Sequence, residues 1–149
     1  MEIVIKKFSE LSLTELYELL ALRTQIFVVE QNCAYQEVDN HDQNALHIIG
    51  YKDEKMMAYA RLVAPGQVYE EPSIGRVCVH EEHRGHQFGR TVFMAALEKA
   101  KALYPKQTLK IQAQVYLEEF YRSVGFKTIS KPYPDFGIWH VDMIKDYSS

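Results

Sequence analysis

The chain contains little cysteine: two residues, Cys33 and Cys78, among 149. Their separation matches no disulfide framework or metal-ligand spacing. Two isolated thiols instead suit a reducing cytoplasm. Long hydrophobic runs are also missing, and no apolar stretch approaches the roughly 20 residues that a membrane-spanning helix needs. The opening MEIVIKKF carries charge inside its apolar run. No small-residue cleavage site follows it, so a secretory leader is not expected. Basic charge is not in excess, and the net charge is −3. That argues against a nucleic-acid partner and leaves room for a cationic substrate. Repeats, low-complexity segments and linkers are absent.

What is there is ordinary for a globular protein: 47% apolar and 25% charged residues. The length favours one domain, 1–149, large enough to bury a core without staples. Residues 3–8 alternate loosely, as an edge strand does. Ser12 followed by Glu15 is a capping box. Leu16, Leu19, Leu20, Arg23, Ile26 and Phe27 then keep helical spacing to an end near residues 27–30. Residues 32–44 are polar and read as a loop. Residues 47–52 and 56–64 form a hairpin around Asp53-Glu54-Lys55.

A strand is expected over 74–79, and a helix stripe from Val92 to Tyr104 that Pro105 stops. A strand over 109–113 and a short helix over 117–124 follow, with Gly125 as a left-handed cap. Residues 127–130 and 138–144 close the chain as a hairpin pair. Tyr147, Ser148 and Ser149 carry no signal. The order is that of a mixed α/β (α+β) domain.

The most informative stretch runs from Ile74 to Arg90. A strand enters a loop with Gly85 and Gly89, and a helix begins at once. A helix N-terminus leaves main-chain N–H groups unpaired and carries partial positive charge. Gly85 allows the turn, Gly89 allows close approach, and Arg84 and Arg90 add charge-assisted bonds. A pyrophosphate is the natural guest, although the same pattern also serves as a plain strand–loop–helix turn. The second stretch runs from Gln112 to Phe126. A Tyr121 phenol on a short helix after a strand suits proton donation to a leaving group. Phe120-Tyr121 equally suits a core aromatic pair.

Together these stretches resemble the GNAT acetyltransferases. Arg84-Gly85-His86-Gln87-Phe88-Gly89 is similar to that family's Arg/Gln-x-x-Gly-x-Gly/Ala loop, with Gln87 where a middle glycine is common. The run from Phe120 to Phe126 resembles its second motif. A closer resemblance, to the ElaA-type branch, covers nearly the whole chain. It is carried by Leu22-Arg23, Phe27-Val28-Val29-Glu30-Gln31-Asn32-Cys33, Tyr35-Gln36-Glu37-Val38-Asp39, His47, Ala58-Tyr59-Ala60-Arg61-Leu62 and Ile74-Gly75-Arg76-Val77.

The resemblance implies a mostly antiparallel sheet of six or seven strands, with a splayed parallel pair at its centre and helices flanking it. It implies acetyl-CoA as co-substrate, held by Val77, Cys78, Val79, Arg84, Gly85, His86, Gln87, Phe88, Gly89, Arg90, Gln112 and Tyr121. It also implies direct attack by a primary amine of a small molecule or peptide. Tyr121 would be general acid, and a main-chain N–H near Val79 would stabilise the oxyanion. The alternative is a non-catalytic acyl-CoA-binding or sensing domain of the same fold. A homodimer is left open.

A lysine-like amine is ~3.4 pH units from neutral at pH 7, so uncharging it costs roughly 4.6 kcal/mol. A base near the site therefore matters. Glu30, Glu37, Asp39, His47, His80 and His140 are candidates, with Glu30 and His140 singled out. Glu30 also suits a solvated surface, and His140 a structural role. A water relay needs no single strong base. His80-Glu81-Glu82-His83 falls one residue short of the zincin spacing and lies outside a helix, so no metal is expected.

Overall fold

The computed structural model describes residues 1–146; Tyr147, Ser148 and Ser149 lie outside the described residues. Strand β1 (Glu2–Lys7) leads through a short 3-10 turn to helix α1 (Leu13–Thr24). Both halves of the capping box form. The Glu15 amide donates to Ser12 Oγ and the Ser12 amide to Glu15 Oε1, each at 3.0 Å. Helix α1 does not stop cleanly. It widens into a π-helical turn over Gln25–Glu30, where the Gln31 amide reaches back five residues to the Ile26 carbonyl. Such turns re-aim the side chains they carry.

Strands β2 (Ala45–Lys52) and β3 (Lys55–Val63) form the expected hairpin. Its two-residue turn places Asp53 and Glu54 at φ 51° and 66°, the geometry that follows strand twist. Strand β4 (Ser73–Val79), helix α2 (Phe88–Leu103), strand β5 (Leu109–Gln114) and helix α3 (Glu118–Ser123) follow. Gly125 has φ 101°, the left-handed cap expected of it. The chain closes with β6 (Lys127–Thr128), β7 (Tyr133–Asp135) and β8 (Ile138–Lys145).

These strands form one eight-stranded sheet among the described residues, in the order β1-β2-β3-β4-β5-β8-β6, with β7 also on β8. The strand beyond the expected six or seven comes from the closing segment. The tight hairpin is β7–β8, turned by Phe136-Gly137 at φ 49° and 80°. Of the 127–130 stretch, only Lys127 and Thr128 are strand. Pro132 follows, and Pro134 is tolerated because β7 lies at an edge.

Among the described residues all pairings are antiparallel except β4–β5, which meet only at Ser73↔Lys110 and then part. Strand β4 also carries a bulge. Tyr59 faces Cys78 and Arg61 faces Gly75, so Arg76 and Val77 oppose the single residue Ala60. Arg76 absorbs the extra residue at φ 55°.

The sheet has two covered faces. On one, α2 and α3 pack Val92, Phe93, Ala96 and Tyr121 onto Ile74, Ile111 and Val141. On the other, α1 packs Leu19, Leu22 and Ile26 onto Ile49, Tyr59 and Cys78. Among the described residues no helix is long and apolar enough to cross a membrane.

Candidate active site

The parting of β4 and β5 opens a cleft of about 810 Å³, within the range of small-molecule sites. One wall is β4 and the other is β5. Helix α2 begins at one end, and residues of the Gln25–Glu30 turn and of the β7–β8 hairpin complete the lining.

The loop before α2 turns through two residues of positive φ into an open helix N-terminus. Gly85 has φ 86°. Gln87 occupies the left-handed region at φ 61°, ψ 25°, as the N-terminal cap of α2. Gln87 therefore takes up, at a conformational cost, the geometry a glycine adopts freely. Gln87→Gly is expected to raise stability by about 1 kcal/mol or leave it unchanged, read by urea unfolding. A loss of more than about 1 kcal/mol would mean that the glutamine side chain has a stabilising partner. The amides of Phe88, Gly89 and Arg90 precede the first one with a partner here, Thr91, whose N–H donates to the Gln87 carbonyl. At Gly89 a Cβ would come 3.3 Å from Val79 Cγ2, so the glycine sets how closely α2 sits on β4.

Of the residues singled out from sequence, Val77, Cys78, Val79, Arg84, Gly85, Gln87, Phe88, Gly89, Arg90, Gln112, Tyr121, Glu30 and His140 all line this cleft. His86 is not brought in; it lies against the Phe88 ring, 5.6 Å between centroids. Cys78 packs with Leu22 and Tyr59 on the α1 face, and burial pushes its thiol up to about 12, so it is no thiolate nucleophile. Gln112 Nε2 donates to the Tyr133 hydroxyl and to Asp135. Arg90 lies over the Phe120 ring at 5.5 Å.

Arg84 and Glu30 are joined. The guanidinium donates to both Glu30 oxygens and, at 3.3 Å, to the Val79 carbonyl. The Arg84 hydrogen bond holds the Glu30 carboxyl below its usual range. Tyr121 is 8% exposed, with Phe93 edge-on at 5.1 Å. Its ring is core, as one reading had it, and the residue also lines the cleft. Burial pushes that phenol up to about 12, so it holds its proton at neutral pH.

Beside the cleft lies a buried ion network that the sequence did not announce. Arg23 donates to Glu37 and Asp42, Arg61 to Asp39 and Asp42, and Arg76 to Glu37 and Asp39. Three cations meet three anions, and the Tyr35 hydroxyl adds a 2.5 Å bond to Glu37. The available signal was an arginine on an apolar stripe. Arg23 stands among Leu19, Leu22 and Ile26, and Arg61 and Arg76 sit inside apolar strands opposite an acid-rich loop. His47 is wholly buried and lies outside the cleft. Its Nε2 meets the Asp42 carbonyl at 2.9 Å, so Nε2 carries the hydrogen and Nδ1 accepts from Tyr59 at 2.6 Å. Among the described residues no cluster of three or more His, Cys, Asp or Glu side chains is arranged to hold a metal ion.

The network and His47 give stability a defined pH dependence. Burial keeps His47 below its usual 6.5. Burial would raise the Asp42 and Asp39 carboxyls, but Arg23 and Arg61 outweigh it and hold both below the usual 3.8. Burial likewise opposes, and bonds from Lys6, Ser12 and Tyr51 overcome, a shift that leaves Glu15 at about 2. In each case the unfolded chain binds more protons, so stability falls as pH falls. Unfolding midpoints should begin to drop below about pH 6.5 and drop steeply from about pH 4.5 to pH 2. A midpoint unchanged between about pH 5 and pH 3 would contradict the ionised network.

Against this geometry the comparisons with known proteins are decisive. A family model described as "Acetyltransferase (GNAT) domain" matches residues 14–147. The chain belongs to the GNAT acetyltransferase family. A UPF0039 protein of Synechocystis is 41% identical over 140 residues, covering 93% of this chain and 91% of the relative. Protein ElaA of Escherichia coli is 39% identical over 140 residues, covering 93% and 92%. The crystal structure of E. coli ElaA superposes with a TM-score of 0.91 at 37% identity, covering 97% of this chain and 99% of that one. The structure of an acyl-CoA N-acyltransferase from Pseudomonas aeruginosa gives 0.91 at 35% identity, covering 97% and 98%. The fold is thus the GNAT fold, and the chemistry of the family is acyl transfer with acyl-CoA as co-substrate.

Proposed function

We propose that this chain moves an acetyl group from acetyl-CoA to a primary amine of a small molecule or peptide, in the cytoplasm, by direct attack and without a metal. The observation that carries the reading is the cleft itself. One opening between β4 and β5 is lined by the first residues of α2 at one end and by Tyr121.

The amides of residues 85–90 would hold the diphosphate, with helix partial charge in support. The single β4–β5 bridge leaves strand-edge amides and carbonyls free to pair with an extended pantetheine arm. A main-chain N–H near Val79 would stabilise the oxyanion. Tyr121 would protonate the departing thiolate, whose conjugate acid is far more acidic than a phenol. The two cysteines are free and buried, which suits a reducing compartment.

Two measurements test the reading. Acetyl-CoA at a hundred times its dissociation constant should add about 2.7 kcal/mol of stability, seen as a higher melting temperature. Thiol release from acetyl-CoA should then depend on an added amine, screened over polyamines, amino acids and peptide N-termini. Tight binding with no release would mark an acyl-CoA-binding domain instead. A shift with another thioester and none with acetyl-CoA would change the donor.

A further inference from the structure

The attacking nitrogen must lose protons, and the described residues leave few groups free to take them. Glu30 gives both oxygens to Arg84. Glu37, Asp39 and Asp42 are bound by Arg23, Arg61 and Arg76. His47 spends both ring nitrogens on Tyr59 and Asp42. His80 accepts from the Glu82 amide and borders a separate depression beside α1. His83 lines the cleft at its diphosphate end, against Phe88. Asp135 also lines the cleft and accepts from Gln112. Carboxylates as a class are weaker bases than imidazoles.

His140 is different. Its Nδ1 lies 2.7 Å from the Ile138 carbonyl oxygen. A carbonyl only accepts, so Nδ1 carries the hydrogen and the neutral ring keeps its lone pair on Nε2. No hydrogen bond from a described residue occupies Nε2. The ring lines the cleft and stacks on Tyr133, 6.3 Å between centroids.

Strand register fixes its height. Ser73 faces Lys110, so Val77 on β4 stands level with Gln114 on β5, to within the residue the bulge adds. Gln114 pairs with His140. His140 therefore sits across the splay from the β4 bulge. Strand alternation fixes its side. Val141 and Met143 point into the core that contains Tyr121, so His140 faces the other way, toward the face that α1 covers. A base and an acid thus flank the parted strands from opposite faces. Separate groups can then take the proton of the nucleophile and give one to the leaving sulfur.

We propose that His140 Nε2 is the general base of acetyl transfer. This rests on the acetyl-transfer reading above. The acceptor ammonium gives one proton to Nε2, which passes it to solvent. The neutral nitrogen attacks the thioester carbonyl carbon, forming C–N as the carbonyl π electrons move to oxygen; the oxyanion then collapses and C–S breaks. Nε2 takes the second proton from that nitrogen, and the Tyr121 O–H protonates the sulfur. The imidazolium proton returns through water to the Tyr121 phenolate. The sum is an amide, a free thiol and one proton released.

The test compares the unmutated chain with His140→Gln and His140→Ala. Thiol release from acetyl-CoA is followed with spermidine, L-lysine and triglycine as acceptors. Both variants should lose about a hundredfold or more in kcat, with acetyl-CoA affinity and melting temperature unchanged. Free imidazole should restore part of the turnover of His140→Ala, which it would not do for a merely structural histidine. Nitrogen NMR of the unmutated chain should find the His140 hydrogen on Nδ1, and this reading does not depend on how either variant folds. A variant that keeps kcat, or a hydrogen found on Nε2, overturns the base assignment alone. An unmutated chain that releases no thiol with any of the three amines overturns acetyl transfer, and the base with it.

Discussion

Tyr121→Phe should lower kcat by about a hundredfold to ten-thousandfold while leaving acetyl-CoA affinity nearly intact. The substitution removes one oxygen and keeps the ring. The aromatic contacts to Phe93, Phe120 and Phe126 therefore persist, at centroid distances of 5.1, 5.2 and 6.2 Å. No hydrogen bond from a described residue reaches the phenol, so no buried partner is orphaned and the melting temperature should hardly move. The two readings of Tyr121, core aromatic and proton donor, then separate cleanly. A purely structural tyrosine predicts little change in either quantity. A proton donor predicts a rate loss without a stability loss. Unchanged kcat with a competent amine would remove Tyr121 from the acid role.

Arg23→Met should destabilise the chain by about 3–5 kcal/mol, lowering the melting temperature by roughly 10 °C. Arg23 is 0% exposed and makes bonds of 2.7 Å to both Glu37 and Asp42. Methionine fills much of the same volume but returns no hydrogen bond. Arg76 and Arg61 still reach Glu37 and Asp42, yet each buried anion loses its most enclosed partner. Desolvation makes that loss costly. The network also ties the 31–44 loop to α1, β3 and β4. Urea unfolding measures the effect. A change under about 1 kcal/mol would show that the remaining pairs satisfy both carboxylates without Arg23.

The legible parts of this molecule were those governed by local rules. Ser12 and Glu15 announce the start of α1 because a capping box is a three-residue interaction. Gly85 and Gly89, followed by an apolar helical stripe, announce the loop into α2 for the same reason. Tyr121 was visible as a phenol on a helix after a strand. The unread parts depend on contacts far apart in sequence. The Glu30–Arg84 pair joins residues 54 apart. Arg76 and Glu37 are 39 apart. Three arginines within apolar patterns were the available clue, but only the fold brings them to one loop. The β7 strand was missed because Pro132 and Pro134 argue against a strand, and only an edge position tolerates them. His140 was one of six candidate bases until strand register set its height and side. The alternation of Val141 and Met143 hints at the side, but the height depends on pairing across β5 to β4.

The central claim is best tested by a crystal structure of the unmutated chain grown with excess coenzyme A. The diphosphate oxygens should lie within hydrogen-bonding distance of main-chain nitrogens in residues 85–90, with the pantetheine arm running between β4 and β5. Coenzyme A bound elsewhere on the molecule, or density absent from that turn at saturating ligand, would contradict it.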